Sequence, residues 1–323
     1  MEKDINMDGR LIYCEKEIVE SLKFYDENYD VFPLSYPEKR TYIQTEHEYV
    51  CRFCGKDKSK TTFKKIAHAI PEFTGNKTIL TKNECDICNE EFGHNFEDHL
   101  AKFLLPANSF TQVKGKNGIP TYKNIDESIR IETIDNKLHI TNNNSKNVIF
   151  DRKNKVIMCE LESQQFIPIK AYCAFLKMAL SIMPEKELVN FHHCIDYIKG
   201  KLNEPFKAFP SVLVTFTSGY QPYGRILNVI CIRKKEDYNL PYLLYILGFG
   251  NFMYQVIVPS YEKDDLYNRE KPNFTIKPFK SPYSYINDPS RQSTTVMRNL
   301  SGIEPITRPF AFRATYQFEY EEL

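Results

Sequence analysis

Two Cys-x-x-Cys pairs, Cys51/Cys54 and Cys85/Cys88, bracket about thirty residues. A pair at this spacing turns tightly enough for both thiolates to face one ion, and two pairs supply the four sulfurs of a tetrahedral zinc site. Nine cysteines scattered at random over 323 residues would rarely give two such pairs at this distance. Between the pairs lies Ala67-His68-Ala69-Ile70-Pro71-Glu72, followed by Gly75-Asn76; the second pair runs straight into Asn89, then Phe92-Gly93 and Glu97. A neutral imidazole in such a setting can take a proton from water. A purely structural zinc ribbon is the plainer reading of the cysteines alone.

The stretch from Cys51 to Leu105 resembles the HNH endonuclease superfamily, in its bacterial branch with the pattern His-Ile-Ile-Pro-Glu, Leu-Gly-Gly, Cys-x-x-Cys-Asn-x-x-Phe-Gly and an acidic residue. The resemblance spans about a sixth of the chain, but the order and spacing of its parts are specific. It implies a ββα-metal finger: a hairpin carries His68 as the general base for phosphodiester hydrolysis, and the helix opening at the second pair carries Asn89 on the metal side. It also implies a structural Zn2+ on Cys51, Cys54, Cys85 and Cys88, a catalytic Mg2+ or Mn2+, and DNA as substrate. Asn76 stands where the family commonly has glycine; it is a third candidate catalytic residue, bracing the turn opposite His68. Many HNH sites place a metal-binding carboxylate immediately before the general base, and here that position is Ala67. Glu72 and Glu97 are the candidate replacements. Glu97 lies about 12 Å along a helix from Asn89, and His94 sits about 140° round from it, so neither pairs easily with Asn89 on one ion.

Local patterning supports the finger. Thr62-Phe63 and Ile66 to Ile70 favour strand, Pro71 ends it, and Gly75-Asn76 supplies a turn. Phe92, Phe96, Leu100, Phe103 and Leu104 recur at helical spacing, and no proline intervenes from Asp86 until Pro106, which predicts a helix of about four to five turns. Arg52, Lys56, Lys58, Lys60, Lys64 and Lys65 crowd the loop before His68, opposed only by Asp57. That loop is a candidate for holding phosphates, with a merely solvated lysine-rich loop as the alternative.

The rest of the chain reads as a larger α+β region, giving three expected parts: a lead-in at 1–50, the zinc-containing module at 51–106 and an α+β domain at 107–323. The lead-in contains a short amphipathic helix within Leu11 to Phe24, with Ile18, Leu22 and Tyr25 on one face. Pro33 and Pro37 then break the chain, and Tyr42-Ile43 and Tyr49-Val50 read as strand. Beyond Pro106, turn signals separate Ser128–Ile134, Lys137–Thr141, Asn147–Phe150 and Lys155–Leu161, which predicts an antiparallel meander. The apolar run Ala171 to Met183, then Pro184 and Glu185 to Lys199, predicts a helical hairpin with a buried first arm. His192-His193-Cys194 on its second arm offers no chelate, because adjacent helical residues point apart. Strands follow at 211–217, 226–233, 243–249 and 252–258, and residues 261–323 are weakly ordered by pattern.

Composition is compatible with this organisation. Apolar residues make up 42% of the chain, ample for a core, and no run approaches the roughly 20 apolar residues of a membrane span. Met1-Glu2-Lys3-Asp4 lacks the apolar segment of a secretory signal. The five cysteines outside the pairs (Cys14, Cys159, Cys173, Cys194, Cys231) sit in mostly apolar surroundings and read as buried free thiols, which fits a reducing cytoplasm. A net charge of +1 decides little. The leading expectation is a metal-dependent endonuclease, of a kind often found in restriction or anti-phage defence. Its larger region would serve recognition, oligomerisation, contact with a defence-system partner or control. The alternative is a non-catalytic, zinc-stabilised nucleic-acid-binding module.

Overall fold

A computed structural model describes residues 5–7, 10–12, 16–34, 37–143, 145–202, 204, 206–208, 210–270, 272–281 and 291–315. Cys14, one of the expected buried thiols, lies outside them. β1 (Ile5–Met7) and β2 (Arg10–Ile12) form a short hairpin. α1 (Lys16–Asn28) starts later than the sequence predicts and runs further, into β3 (Tyr29–Leu34). The reason is tertiary: Tyr25 is buried, and its hydroxyl donates to the Lys277 carbonyl at 2.5 Å.

β4 (Thr41–Tyr42), β5 (Ala67–His68) and β6 (Ile79–Thr81) form a small sheet, with β6 central, parallel to β4 and antiparallel to β5. Tyr49, predicted to be strand, has φ +61° and lies in a turn instead. α2 (Asp86–Phe92), a π turn (Gly93–Glu97) and α3 (Asp98–Phe110) follow as one continuous helical run. Pro106 does not end it. Proline removes one helical hydrogen bond, but burial of Leu100, Phe103, Leu104 and Ala107 carries the helix on to Phe110.

The predicted meander is in fact two sheets. β7 (Tyr122–Lys123), β8 (Ile129–Ile134) and β9 (Lys137–Asn142) form one. β10 (Val148–Asp151) and β11 (Val156–Glu162) form the other, completed by a distant strand, Pro309–Thr315. The helical hairpin is present: α4 (Pro168–Ile182), a 3-10 segment (Glu185–Phe191) and α5 (His192–Ile198). The four later strands lie where the pattern puts them: β12 (Ser211–Thr217), β13 (Tyr223–Arg233), β14 (Leu243–Gly250) and β15 (Phe252–Val258). β16 (Ser293–Asn299) and β17 (Pro309–Thr315) fall in the stretch read as weakly ordered.

β16, β12, β15, β14, β13 and β3 pair in that order into a fully antiparallel six-stranded sheet. Pro33, predicted to break the chain, sits in edge strand β3 opposite Val229. Edge strands tolerate proline when the missing N–H faces away from the neighbour. Side chains alternate across the central strands. Val229, Cys231, Leu244, Ile246, Met253 and Ile257 join Tyr25 and Tyr29 under α1, while Ile230, Tyr245, Leu247, Tyr254 and Val256 pack towards α4. The α4 side belongs to one continuous apolar core that also holds Cys51, Phe53, Ile70, Cys88, Phe92 and Leu104. The zinc-type module is therefore packed into the same core as α4 and the large sheet.

The β14–β15 hairpin closes at Gly250, whose φ of +56° favours glycine. An added methyl there would also lie 2.7 Å from Val113 Cγ2. Gly200, at φ +69°, has open space at the same position. Gly250→Ala should therefore destabilise the protein by ~1–3 kcal/mol from strain plus overpacking, and by more than Gly200→Ala. Equal shifts in thermal melting temperature would show that Val113 yields freely.

Candidate active site

The sulfurs of Cys51, Cys54, Cys85 and Cys88 all lie within 4.8 Å of one another, with Cys54 and Cys85 at 3.8 Å. Zinc–sulfur bonds of about 2.3 Å in a tetrahedron give sulfur–sulfur edges of about 3.8 Å. The donor set therefore fits zinc. Without a cation the sulfurs titrate against each other: hydrogen bonding between them lowers the Cys51 pKa and raises that of Cys88. Asp86, at the start of α2, ties the second knuckle to the loop before the hairpin, accepting from Thr62 Oγ1 at 2.5 Å, Lys65 N at 2.8 Å and Lys64 N at 3.0 Å.

His68 stands on β5 with its ring half-buried. Its Nε2 lies 3.9 Å from Glu72 Oε2, and its Nδ1 is buried with no hydrogen-bond partner among the described residues. Burial lowers the imidazole pKa below its ordinary value; Glu72 opposes that shift and Lys177 adds to it. The ring is thus held neutral near pH 7, the state a general base requires. Asn76, by contrast, is fully buried and spends its whole amide on the hairpin turn. Nδ2 donates to the carbonyls of Ile70 at 2.6 Å and Ile79 at 3.0 Å, while Oδ1 accepts from Thr78 N and Ile79 N. With both donors and its acceptor engaged, Asn76 braces the strand end next to His68 and has no group left for a substrate.

The helical run supplies the other candidates. Gly93 opens the π turn, and the Asp98 N–H reaches back five residues to the Gly93 carbonyl. π turns widen a helix and frequently mark functional sites. Asn89, Gly93, His94, Glu97 and Asp98 line one open groove of about 570 Å³, walled on its far side by Phe73. Asn89, His94 and Glu97 thus all border the same groove. The Asn89 side chain makes no hydrogen bond among the described residues, and Glu97 is bonded only by Lys177. An amide oxygen and a carboxylate are hard donors that suit Mg2+ or Mn2+, with His94 as a nitrogen donor alongside.

A hairpin bearing a half-buried histidine, a four-sulfur cluster and a helix starting at the second cysteine pair together make a ββα-metal arrangement. Residues 51–105 match the family profile described as HNH endonuclease. This segment is an HNH module. No curated protein and no solved structure matches the chain.

Two lysines from beyond the HNH module reach into it, and sequence reading singled out neither. Lys177, on α4, is fully buried; its Nζ lies 3.1 Å from the His68 carbonyl oxygen, 3.0 Å from Glu97 Oε1 and 3.1 Å from Glu84 Oε2. Burial opposes its charge, yet the two carboxylates outweigh that and hold its pKa above the ordinary value. Burial pushes Glu84 up to about 7. Lys199, just after α5, places Nζ 3.3 Å from Cys88 Sγ and pairs with Glu91. The signal for Lys177 was its position as the one charge between Cys173 and Ile182 in an apolar helix. A charge buried there must find a partner.

The basic loop divides. Arg52 donates to the carbonyls of Leu180 at 2.9 Å and Met183 at 3.0 Å at the end of α4, so its guanidinium serves as a helix cap and not as a phosphate contact. Lys65 pairs with Glu90 at 2.6 Å, and Lys58 lies over the Tyr49 ring at 3.4 Å. Lys56, Lys60 and Lys64 are exposed and have no ion-pair partner among the described residues. His193 stacks on Tyr261, and Cys194 donates to the Pro259 carbonyl at 3.1 Å, so the His-His-Cys run forms no chelate.

Purified protein should hold about one zinc per chain. Cys51→Ser with Cys85→Ser should lose it and destabilise the HNH module, because ion binding contributes directly to folding. Elemental analysis paired with thermal melting checks both, and stoichiometric zinc in the double variant would refute the assignment.

Proposed function

We propose that this protein is a metal-dependent endonuclease that hydrolyses phosphodiester bonds in DNA. The observation that carries the reading is that one buried ammonium, on Lys177, touches both the His68 carbonyl and the Glu97 carboxylate. That contact, together with the electrostatic influence of Lys177 and Glu97 on the imidazole, supports reading the candidate base and the groove as one site, although His68 does not itself line the groove. In this reading His68 accepts a proton from a water molecule as its oxygen attacks phosphorus; the bond from phosphorus to the 3′ oxygen breaks, and that oxygen leaves with its electron pair. Asn89 and Glu97, with His94 or Glu72 beside them, would hold a Mg2+ or Mn2+ ion, which would supply charge stabilisation at the phosphate. Exposed Lys56, Lys60 and Lys64 hold the DNA backbone without reading sequence. The zinc cluster and buried free thiols suit a reducing compartment such as the cytoplasm. No helix among the described residues is long and apolar enough to cross a membrane. A restriction or anti-phage role, and an oligomeric or partner-bound form, are further parts of this proposal; they rest on the resemblance.

A second reading, a zinc-stabilised nucleic-acid-binding module without catalysis, draws on buried Ala67 in the place of the usual ligand carboxylate. Nicking of supercoiled plasmid with Mg2+ or Mn2+ separates the two. His68→Ala should lower cleavage by about 10²–10⁴-fold, the usual contribution of general-base catalysis, while zinc content and DNA affinity stay near wild type. Because burial lowers the His68 pKa, activity should persist somewhat below pH 6.5, the ordinary imidazole value, before falling as the ring protonates. In Asn89→Ala, extra Mn2+ should restore part of the lost activity; it should do nothing for His68→Ala. Wild-type rates from His68→Ala, or no cutting by the wild type under any divalent ion, would leave the binding reading in place.

The basic loop has its own test. Changing Lys56, Lys60 and Lys64 together to Gln should weaken binding equally on unrelated DNA sequences and reduce the slope of log K against log salt by about 3 if all three meet phosphates. Adding Lys65→Gln should contribute less, since Glu90 already neutralises it. An unchanged salt slope in the triple variant would return the loop to solvent.

A further inference from the structure

Lys177 lies outside the matched segment, on a helix otherwise devoted to the core. Tyr172, Phe175, Leu176, Met178 and Leu180 surround it in sequence and are all buried. For stability alone an ammonium is a poor choice here, because a buried ion pair is often no better than apolar residues filling the same space. Its three oxygen neighbours suggest another use. Nζ donates to the His68 carbonyl and to Glu97 Oε1, and Glu84 Oε2 stands 3.1 Å away as an ion-pair partner, so the ammonium meets three oxygens from three different parts of the HNH module. The His68 carbonyl belongs to the hairpin strand, Glu84 directly precedes the second knuckle, and Glu97 lies in the π turn. Glu84 is sealed inside, whereas Glu97 keeps 22% of its side chain exposed and faces the groove. No other described residue hydrogen-bonds the Glu97 carboxylate. α4 is itself fixed to the large sheet, by the Tyr172 hydroxyl donating to the Ile257 carbonyl at 2.7 Å and by Phe175 packing on Tyr254.

We infer that Lys177 is a positioning residue supplied by α4, which holds one oxygen of Glu97 so that the carboxylate is presented to a divalent cation in the groove, and which fixes the His68 strand behind it. The inference rests on the nuclease reading for its consequence in cleavage, but not for its consequence in cation binding. It gives the region after residue 106 a defined share in the site: the HNH module alone lacks the group that aims Glu97.

Lys177→Met alone would leave two carboxylates facing each other, so the test removes charge in a balanced way. Lys177→Met/Glu84→Gln is compared with Glu84→Gln and wild type as full-length, zinc-loaded proteins, with Mn2+ affinity followed by the electron paramagnetic resonance of free Mn2+. Outer residues that orient ligands typically change metal affinity by about 10–100-fold. The double variant should bind Mn2+ at least about tenfold more weakly, while Glu84→Gln stays near wild type. Single-turnover cleavage should fall in rate with DNA affinity unchanged, and excess Mn2+ should recover part of it. If that double variant does not fold, Lys177→Met/Glu84→Leu, which fills the space with apolar groups, carries the same expectation. Mn2+ affinity unchanged in the folded variant, or no Mn2+ site in the wild type, overturns the inference. A wild type that binds Mn2+ but never cuts DNA refutes the nuclease reading instead, and the role of Lys177 is then decided by the Mn2+ affinities alone.

Discussion

Four cysteine sulfurs drawn within 4.8 Å of one another set the frame for everything around them. As thiolates they repel one another, and a bound cation would take up that charge. Ion binding at such a site is folding free energy, on the order of 10–16 kcal/mol in small zinc modules. That allows a segment with a three-stranded sheet of two- and three-residue strands to hold a fixed shape. The hairpin and the helix hang from the two knuckles, and Asp86 and Asn76 finish the job by tying loop and turn to them. The geometry of His68 follows from that frame.

The frame is nonetheless incomplete by itself. Cys88, Phe92 and Leu104 are buried in the same core as α4 and the inner face of the six-stranded sheet. Arg52 caps the end of α4, Lys199 reaches a cysteine sulfur, and Lys177 reaches the hairpin and the π turn. Each of these is a charged or donor group whose partner lies 80 or more residues away in sequence. The large region therefore does more than adjoin the HNH module, because several of the module's polar groups are satisfied only by it.

Much of this was legible in the sequence, because the signals were local. Paired cysteines, a histidine followed by Ala-Ile-Pro-Glu, an apolar helix ended by Pro184 and strands of alternating or continuous apolar residues each act over a few residues. Spacing and apolar pattern gave the cysteine cluster, β5, α4 and β12 to β15, whereas Thr62-Phe63, read as strand, lies outside any strand and β6 carried no such signal. What local pattern could not decide was pairing. β16 is polar and half-exposed, and β17 alternates Phe310, Phe312 and Ala314 with exposed residues over only seven positions; both pair because β12 and β11 offer open edges. The expected meander became two sheets since β11 takes β17 as its second partner. Pro33 and Pro106 read as breaks, yet an edge position and a well-buried helix face absorb them.

The same division runs through the site. Residue type and order determined that this chain carries an HNH module and which atoms can hold zinc. Only the tertiary structure decided which of the remaining candidates are free to act. It spent the Asn76 amide on a turn and the Arg52 guanidinium on a helix end. It set Asn89, His94 and Glu97 along one open groove beside the π turn. The physical reason is that a polar group must be satisfied wherever burial puts it, and burial is settled by contacts between residues far apart in the chain.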